Sequence, residues 1–106
     1  AVFEIGYPTY QKLSKEKSKN DACVLTFLKI LSQVPDTLIS RKYGSDDARK
    51  VSMMTRDLLN IEGEDDFDEK VAQFDEFLFK NKYNPGTTAD LTAASIFVSY
   101  LKDNFE

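Results

Sequence analysis

From Asp21 to Leu31 the chain reads Asp-Ala-Cys-Val-Leu-Thr-Phe-Leu-Lys-Ile-Leu, apolar on nearly every side of a helix. Such a helix belongs at the centre of a domain, and Asn20 or Ser18 is placed to cap it. Pro35 stops it. A short segment, Asp36 to Tyr43, leads to Gly44, where a left-handed turn costs little. Ser45 is then placed to cap a second long helix, with Asp46 and Asp47 near its positive end. The apolar stripe of this helix is Ala48, Val51, Thr55, Leu58 and Leu59, and the segment from Asn60 to Gly63 breaks it. Glu64, Asp65 and Asp66 open a third helix whose inner face is Phe67, Val71, Phe74 and Leu78. Asp66–Lys70 and Glu76–Lys80 are acid-first (i, i+4) pairs, each contributing about 0.3 kcal/mol. The last helix carries Leu91, Ala94, Val98, Leu101 and Phe105.

No segment alternates strictly enough to compete as a sheet. Val2 to Tyr7 has no partner strand and reads as a lead-in, or as the tail of a helix whose beginning is absent. The lysines at 12, 15, 17 and 19 mark a solvated loop. The pattern therefore predicts an all-α fold: one antiparallel helical bundle of about four long helices with short helical connections, spanning residues 1–106. Its expected core is Phe27, Leu28, Leu31, Val51, Leu58, Phe67, Phe74, Leu78, Leu91, Val98 and Leu101.

Composition narrows the chemistry. With 42% apolar and 30% charged residues, the chain has the make-up of a folded globular domain. Histidine is absent, which removes Ser-His-Asp, Cys-His and zinc-histidine chemistry from these residues. Cys23 is the only cysteine, so no intrachain disulfide can form and a reducing, cytoplasmic setting is expected. No apolar run approaches about 18 residues, so no membrane partner is expected. Charge is uneven, with a net +3 over residues 1–53 and −7 over residues 54–106. No basic face interleaved with aromatics emerges, so nucleic acid is not an expected partner either.

Polar residues gather at the helix junctions. Asn84-Pro85-Gly86-Thr87-Thr88-Ala89-Asp90 combines a fixed φ, a flexible glycine, two hydroxyls and a carboxylate just ahead of a helix. Thr87 with Asp90 has capping-box spacing, and helix amides beside a glycine also attract anions; on these residues alone a plain cap is the commoner explanation. Asp36-Thr37 and Arg41 occupy the irregular segment after Pro35. Arg41 offers a rigid donor fork suited to phosphate, while Asp36 suits a cation or Arg41 itself. With one long helix between them, the Asp36 and Asn84 junctions should fall at the same end of the bundle.

The order Asn20-Asp21, then Asp36-Thr37 with Arg41 and Gly44, then Asn84-Pro85-Gly86 with Ala89-Asp90-Leu91, resembles the C-terminal part of the triphosphoribosyl-dephospho-CoA synthases. Gly6-Tyr7-Pro8 is similar to that family's glycine-proline approach to the region, and the likeness runs from about Gly6 to Leu101. Thr87-Thr88 stands where the family has Gly-Ser or Ser-Ser, and Leu38 where it tends to have Asn. The family's Lys-Pro-Gly and Asn-Thr-His-Lys-Gly segments do not occur in this sequence.

The resemblance implies an all-helical transferase that joins ATP, through its ribose, to 3′-dephospho-CoA and releases adenine. It implies Asp36 and Asp90 as catalytic carboxylates that also hold Mg²⁺, with ATP as substrate. Arg41 would be a phosphate ligand, and Asn84, Gly86, Thr87 and Thr88 a nucleotide-binding cradle. The partners would be ATP, a CoA-like acceptor and an N-terminal half carrying the other motifs, without which the chain should be inactive. The alternative is a non-catalytic helical interaction module, which should expose an apolar stripe; every stripe found in the sequence can be used internally.

Overall fold

A computed structural model describes residues 1–105 and shows an all-α protein. A single π-helical turn, Val2–Gly6, runs directly into α1 (Tyr7–Glu16), with Pro8 tolerated in its first turn. Then follow α2 (Lys19–Gln33), α3 (Thr37–Tyr43), α4 (Ser45–Asn60), α5 (Phe67–Lys80) and α6 (Gly86–Phe105). The described residues form six α-helices of 7 to 20 residues, of which α2, α4, α5 and α6 are the longest. The expected lead-in and lysine loop are in fact helix up to Glu16, so Lys12 and Lys15 lie on α1. Lys17, just beyond α1, approaches Glu62 at 3.7 Å. Among the described residues no single helix is long and apolar enough to cross a membrane.

The helix boundaries follow local chemistry. Ser18 caps α2, its Oγ accepting from the Asp21 amide at 3.1 Å. Arg56 on α4 donates from Nε to the Ser32 carbonyl at 2.7 Å, satisfying a carbonyl in the last turn of α2. Gly44 (φ 98°) ends α3 and is itself the N-cap of α4, so Ser45 is the first helical residue there rather than the cap. The Glu76–Lys80 pair closes at 2.8 Å on α5.

α2 is the central helix and packs against the π turn, α1, α4 and α6. The main cluster joins Leu28, Leu31, Ile39, Ala48, Val51, Leu58, Phe74 and Leu78, with Phe27, Phe67, Val71 and Tyr83 half-buried against it. α6 departs from expectation. Its buried face is Thr88, Thr92, Ser95 and Ser99, whereas Leu91 and Val98 are half-buried and Leu101 and Phe105 are exposed. Small side chains let α6 lie close to its neighbours: a methyl on Gly6 would overlap Ser95 Oγ and come within 2.9 Å of Ser95 Cβ. The buried hydroxyls remain satisfied. Thr92 and Ser95 donate to the carbonyls of Thr88 and Leu91, four residues back, and Ser99 donates to Gln11 Oε1, all at 2.8 Å.

α5 packs its backbone against α4 alone, so a gap stays open toward α2 and α6. The molecule is correspondingly flat, with extents of 41 × 33 × 18 Å. Its accessible surface is 6696 Å², against about 6000 Å² for a typical monomer of this mass.

Candidate functional site

Asp36 is the buried centre of the helix junction that the sequence marks out. It follows Pro35 and caps α3, its Oδ1 accepting from the amides of Leu38 at 2.8 Å and Ile39 at 3.2 Å. Its Oδ2 accepts from the Thr88 amide at 2.7 Å and the Thr88 hydroxyl at 2.8 Å. One carboxylate, 1% exposed, therefore serves the amino-terminal turns of two helices separated by about fifty residues of chain. Beside it the hydroxyls of Thr37 and Thr87 meet at 2.7 Å. The Asp36 and Asn84–Asp90 junctions do lie together.

At this junction Asp36 and Thr88, and Thr37 and Thr87, bond to each other. The anion at the start of α6 is the protein's own Asp36, and Thr88 is spent on it. Thr87 is not the cap, because α6 begins at Gly86 and the Ala89 amide already bonds to the Pro85 carbonyl. Gly86 does not make the turn by positive φ; Lys82 does, at φ 58°. The service of Gly86 is room: a methyl there would come within 2.5 Å of Leu38 Cδ1, the side chain that stands where the resembled family tends to have Asn.

The Asp36 oxygens are heavily engaged in this geometry, each accepting two hydrogen bonds. Asp90 does not join Asp36. Asp90 lies two residues beyond Thr88, on the far side of α6, exposed and without a hydrogen-bond or salt-bridge partner among the described residues. Among the described residues no group of three or more Asp, Glu, Cys or His side chains is arranged for a metal. Nor does Arg41 pair with Asp36; it points to the surface.

Arg41 lines a concavity of about 440 Å³ with Leu38, Ile39, Lys42, Tyr43, Lys82 and Asn84. Arg41 and Lys42 come from the last turn of α3, where the helix dipole favours cations, and Lys82 comes from the separate turn after α5. No acidic side chain lines the concavity, in a chain of net charge −4. The Arg41, Lys82 and Asn84 side chains have no hydrogen-bond or ion-pair partner among the described residues, while the Lys42 ammonium sits 5.4 Å from the Tyr43 ring centroid. Tyr43 packs edge-on against Tyr83 at 5.0 Å, and Tyr83 donates to Asp47 Oδ2 at 2.8 Å. That bond to a carboxylate raises the pKa of the Tyr83 phenol, because ionisation would set two anions side by side.

Sequence reasoning found Arg41 and Asn84 but missed Lys42 and Lys82. The signal for Lys82 was present in the string Asn-Lys-Tyr-Asn-Pro after α5, a turn that must reverse the chain, though nothing local says where its ammonium points. No curated protein and no solved structure matches the chain. The family model for ATP:dephospho-CoA triphosphoribosyl transferase does match, over residues 1–106, and the chain belongs to that family.

Proposed function

We propose that this chain supplies nucleotide-phosphate contacts for ATP:dephospho-CoA triphosphoribosyl transfer, the activity its family is named for. The observation that carries this reading is the acid-free concavity where Arg41, Lys42 and Lys82 converge with Asn84. In the reaction, an acceptor hydroxyl forms a C–O bond at the anomeric carbon of the ATP ribose as the C–N bond to adenine breaks. The proton lost by the hydroxyl is the one adenine carries away. Little of this requires a protein nucleophile; it requires that charged phosphates be held still while the ribose carbon faces the acceptor.

The residues divide accordingly. Arg41 and Lys82 are the direct phosphate ligands, Arg41 through its planar fork and Lys82 as a point charge. Lys42 adds positive potential, and Asn84 offers an amide to a phosphate or ribose oxygen. Asp36, with Thr88, Thr87 and Gly86, is a positioning group: it fixes α3, which bears Arg41, against α6. Asp90 is the carboxylate of the original pair left free to face a ribose hydroxyl. Mg²⁺ would enter with the triphosphate and offset its charge, and no carboxylate of this chain is assigned to it. The Lys-Pro-Gly and Asn-Thr-His-Lys-Gly segments expected of the family are absent from this sequence, so the 106 residues alone are predicted to release no adenine.

The test is calorimetry of the chain with adenosine diphosphate and ATP. Both should bind weakly, more weakly as salt rises, and Arg41→Glu should reduce affinity by about tenfold or more. Unchanged affinity in Arg41→Glu would overturn the assignment. The interaction-module alternative draws support from one observation: Phe97, Tyr100 and Phe105 on α6 are 60%, 54% and 74% exposed, so not every apolar stripe is used internally.

A further inference from the structure

Between α2, α5 and α6 runs a groove of about 1250 Å³, far larger than the basic concavity. Its walls are Phe27, Val71, Phe74, Leu78, Ala93 and Ile96, and it stays open because the α5 backbone comes close only to α4. Two residues, Lys82 and Asn84, line both the groove and the basic concavity. The two spaces therefore share a wall where apolar surface meets positive charge.

We propose that these two adjoining spaces together seat the acceptor nucleotide, with its diphosphate at Arg41 and Lys82 and its pantetheine arm crossing the shared Lys82–Asn84 wall to lie along the groove. The inference rests on the phosphate-binding reading above and extends it by choosing between the two substrates. Both carry a polyphosphate. That of ATP ends in a terminal phosphate with nothing beyond it. The diphosphate of dephospho-CoA continues into a long, uncharged arm of methyl groups, amides and a thiol, and only such a ligand fills a basic pocket and an apolar groove together.

Charge sets the direction. Asp68, Asp75 and Glu76 stand along the α5 side of the groove, and among the described residues only Glu76 of these is paired, with Lys80 at 2.8 Å. An anion is repelled from that rim and accepted at the Lys82 end, so the phosphates enter at Lys82 and the neutral arm passes the acids. Phe79, 84% exposed on the groove wall three residues before Lys82, is placed where the arm would leave the phosphates.

Calorimetry of the 106-residue chain with dephospho-CoA and with adenosine diphosphate tests this, because the two differ by the arm. Dephospho-CoA should bind at least about tenfold more tightly than adenosine diphosphate. Ala93→Trp, at an exposed position on the groove wall, should erase that margin and leave adenosine diphosphate binding unchanged. Met53→Trp, on the exposed face of α4, should leave both affinities unchanged and circular dichroism should show all variants folded. Equal affinity of the two ligands for the wild-type chain, or a margin that survives Ala93→Trp, overturns the arm assignment while the phosphate reading stands. Failure of both ligands to bind overturns the phosphate reading and this inference with it. A chain that sediments as a dimer and is dissociated by Ala93→Trp, with ligand affinities unmoved, shows the groove to be filled by a second copy and equally overturns the proposal.

Discussion

Where α3 meets α6, the buried polar groups have found partners; where α5 faces α6, apolar surface lines an open groove. At the first place Asp36 accepts four hydrogen bonds at 1% exposure. At the second, Ala93 and Ile96 line one side of the open groove and Val71 and Phe79 the other. Residue type alone suggests the reverse, with the carboxylate reaching for ligand and the apolar side chains packed away. The difference teaches that a polar cluster is available for binding only if the fold leaves its valences unspent. Those of Asp36 and Thr88 are spent on holding two helices, and the unspent groups are Arg41, Lys82 and Asn84 a few residues away.

The sharpest way to break this comparison is Asp36→Ala. It strips the caps from α3 and α6 together and leaves the Thr88 amide and hydroxyl buried without an acceptor. A loss of about 3–4 kcal/mol is expected in denaturant unfolding, with Asp36→Asn retaining part of it. A loss below about 1 kcal/mol would mean that Asp36 is not the tie described. Gly6→Ala comes next, since its methyl would collide with Ser95 on the tightly packed face of α6. It should cost about 1–3 kcal/mol, read as a lowered Tm, and Ser95→Gly should recover part of that cost in the double variant.

On the open side, Tyr83 lines the groove and ties it to α4 through Asp47. Its phenol pKa is raised in the fold, so its stabilising contribution is complete below the ordinary value of about 10 and is lost as pH rises through the folded value. Asp47→Asn should therefore lower stability relative to wild type at about pH 8, with the gap closing as pH rises through the raised value of the folded phenol. A gap independent of pH would detach that effect from the tyrosine proton. The smallest effect is expected from Phe97→Ser on the exposed face of α6, within about 0.5 kcal/mol of wild type by thermal unfolding. A large loss there would show that this face is covered in solution.

Much of the fold is legible in the chain. Helix class, the central position of α2, the breaks at Pro35, Gly44 and Gly63, and the inner face of α5 at Phe74 and Leu78 follow from local rules: period, cap chemistry and backbone freedom. The family is legible too, because its motifs are strings of neighbouring residues. What the chain could not disclose is every choice made between helices. Whether α6 turns Leu91, Val98 and Leu101 or Thr88, Thr92, Ser95 and Ser99 inward depends on how closely its neighbours approach. Gly6 and Ser95 settle that across almost ninety residues of sequence. Whether Asp36 meets a ligand, Arg41 or Thr88 depends on which donor arrives first in space, and a buried carboxylate takes the amides nearest to it. Lys82 joins Arg41 for the same reason: two helix ends from distant parts of the chain meet at one surface, a convergence only tertiary packing specifies.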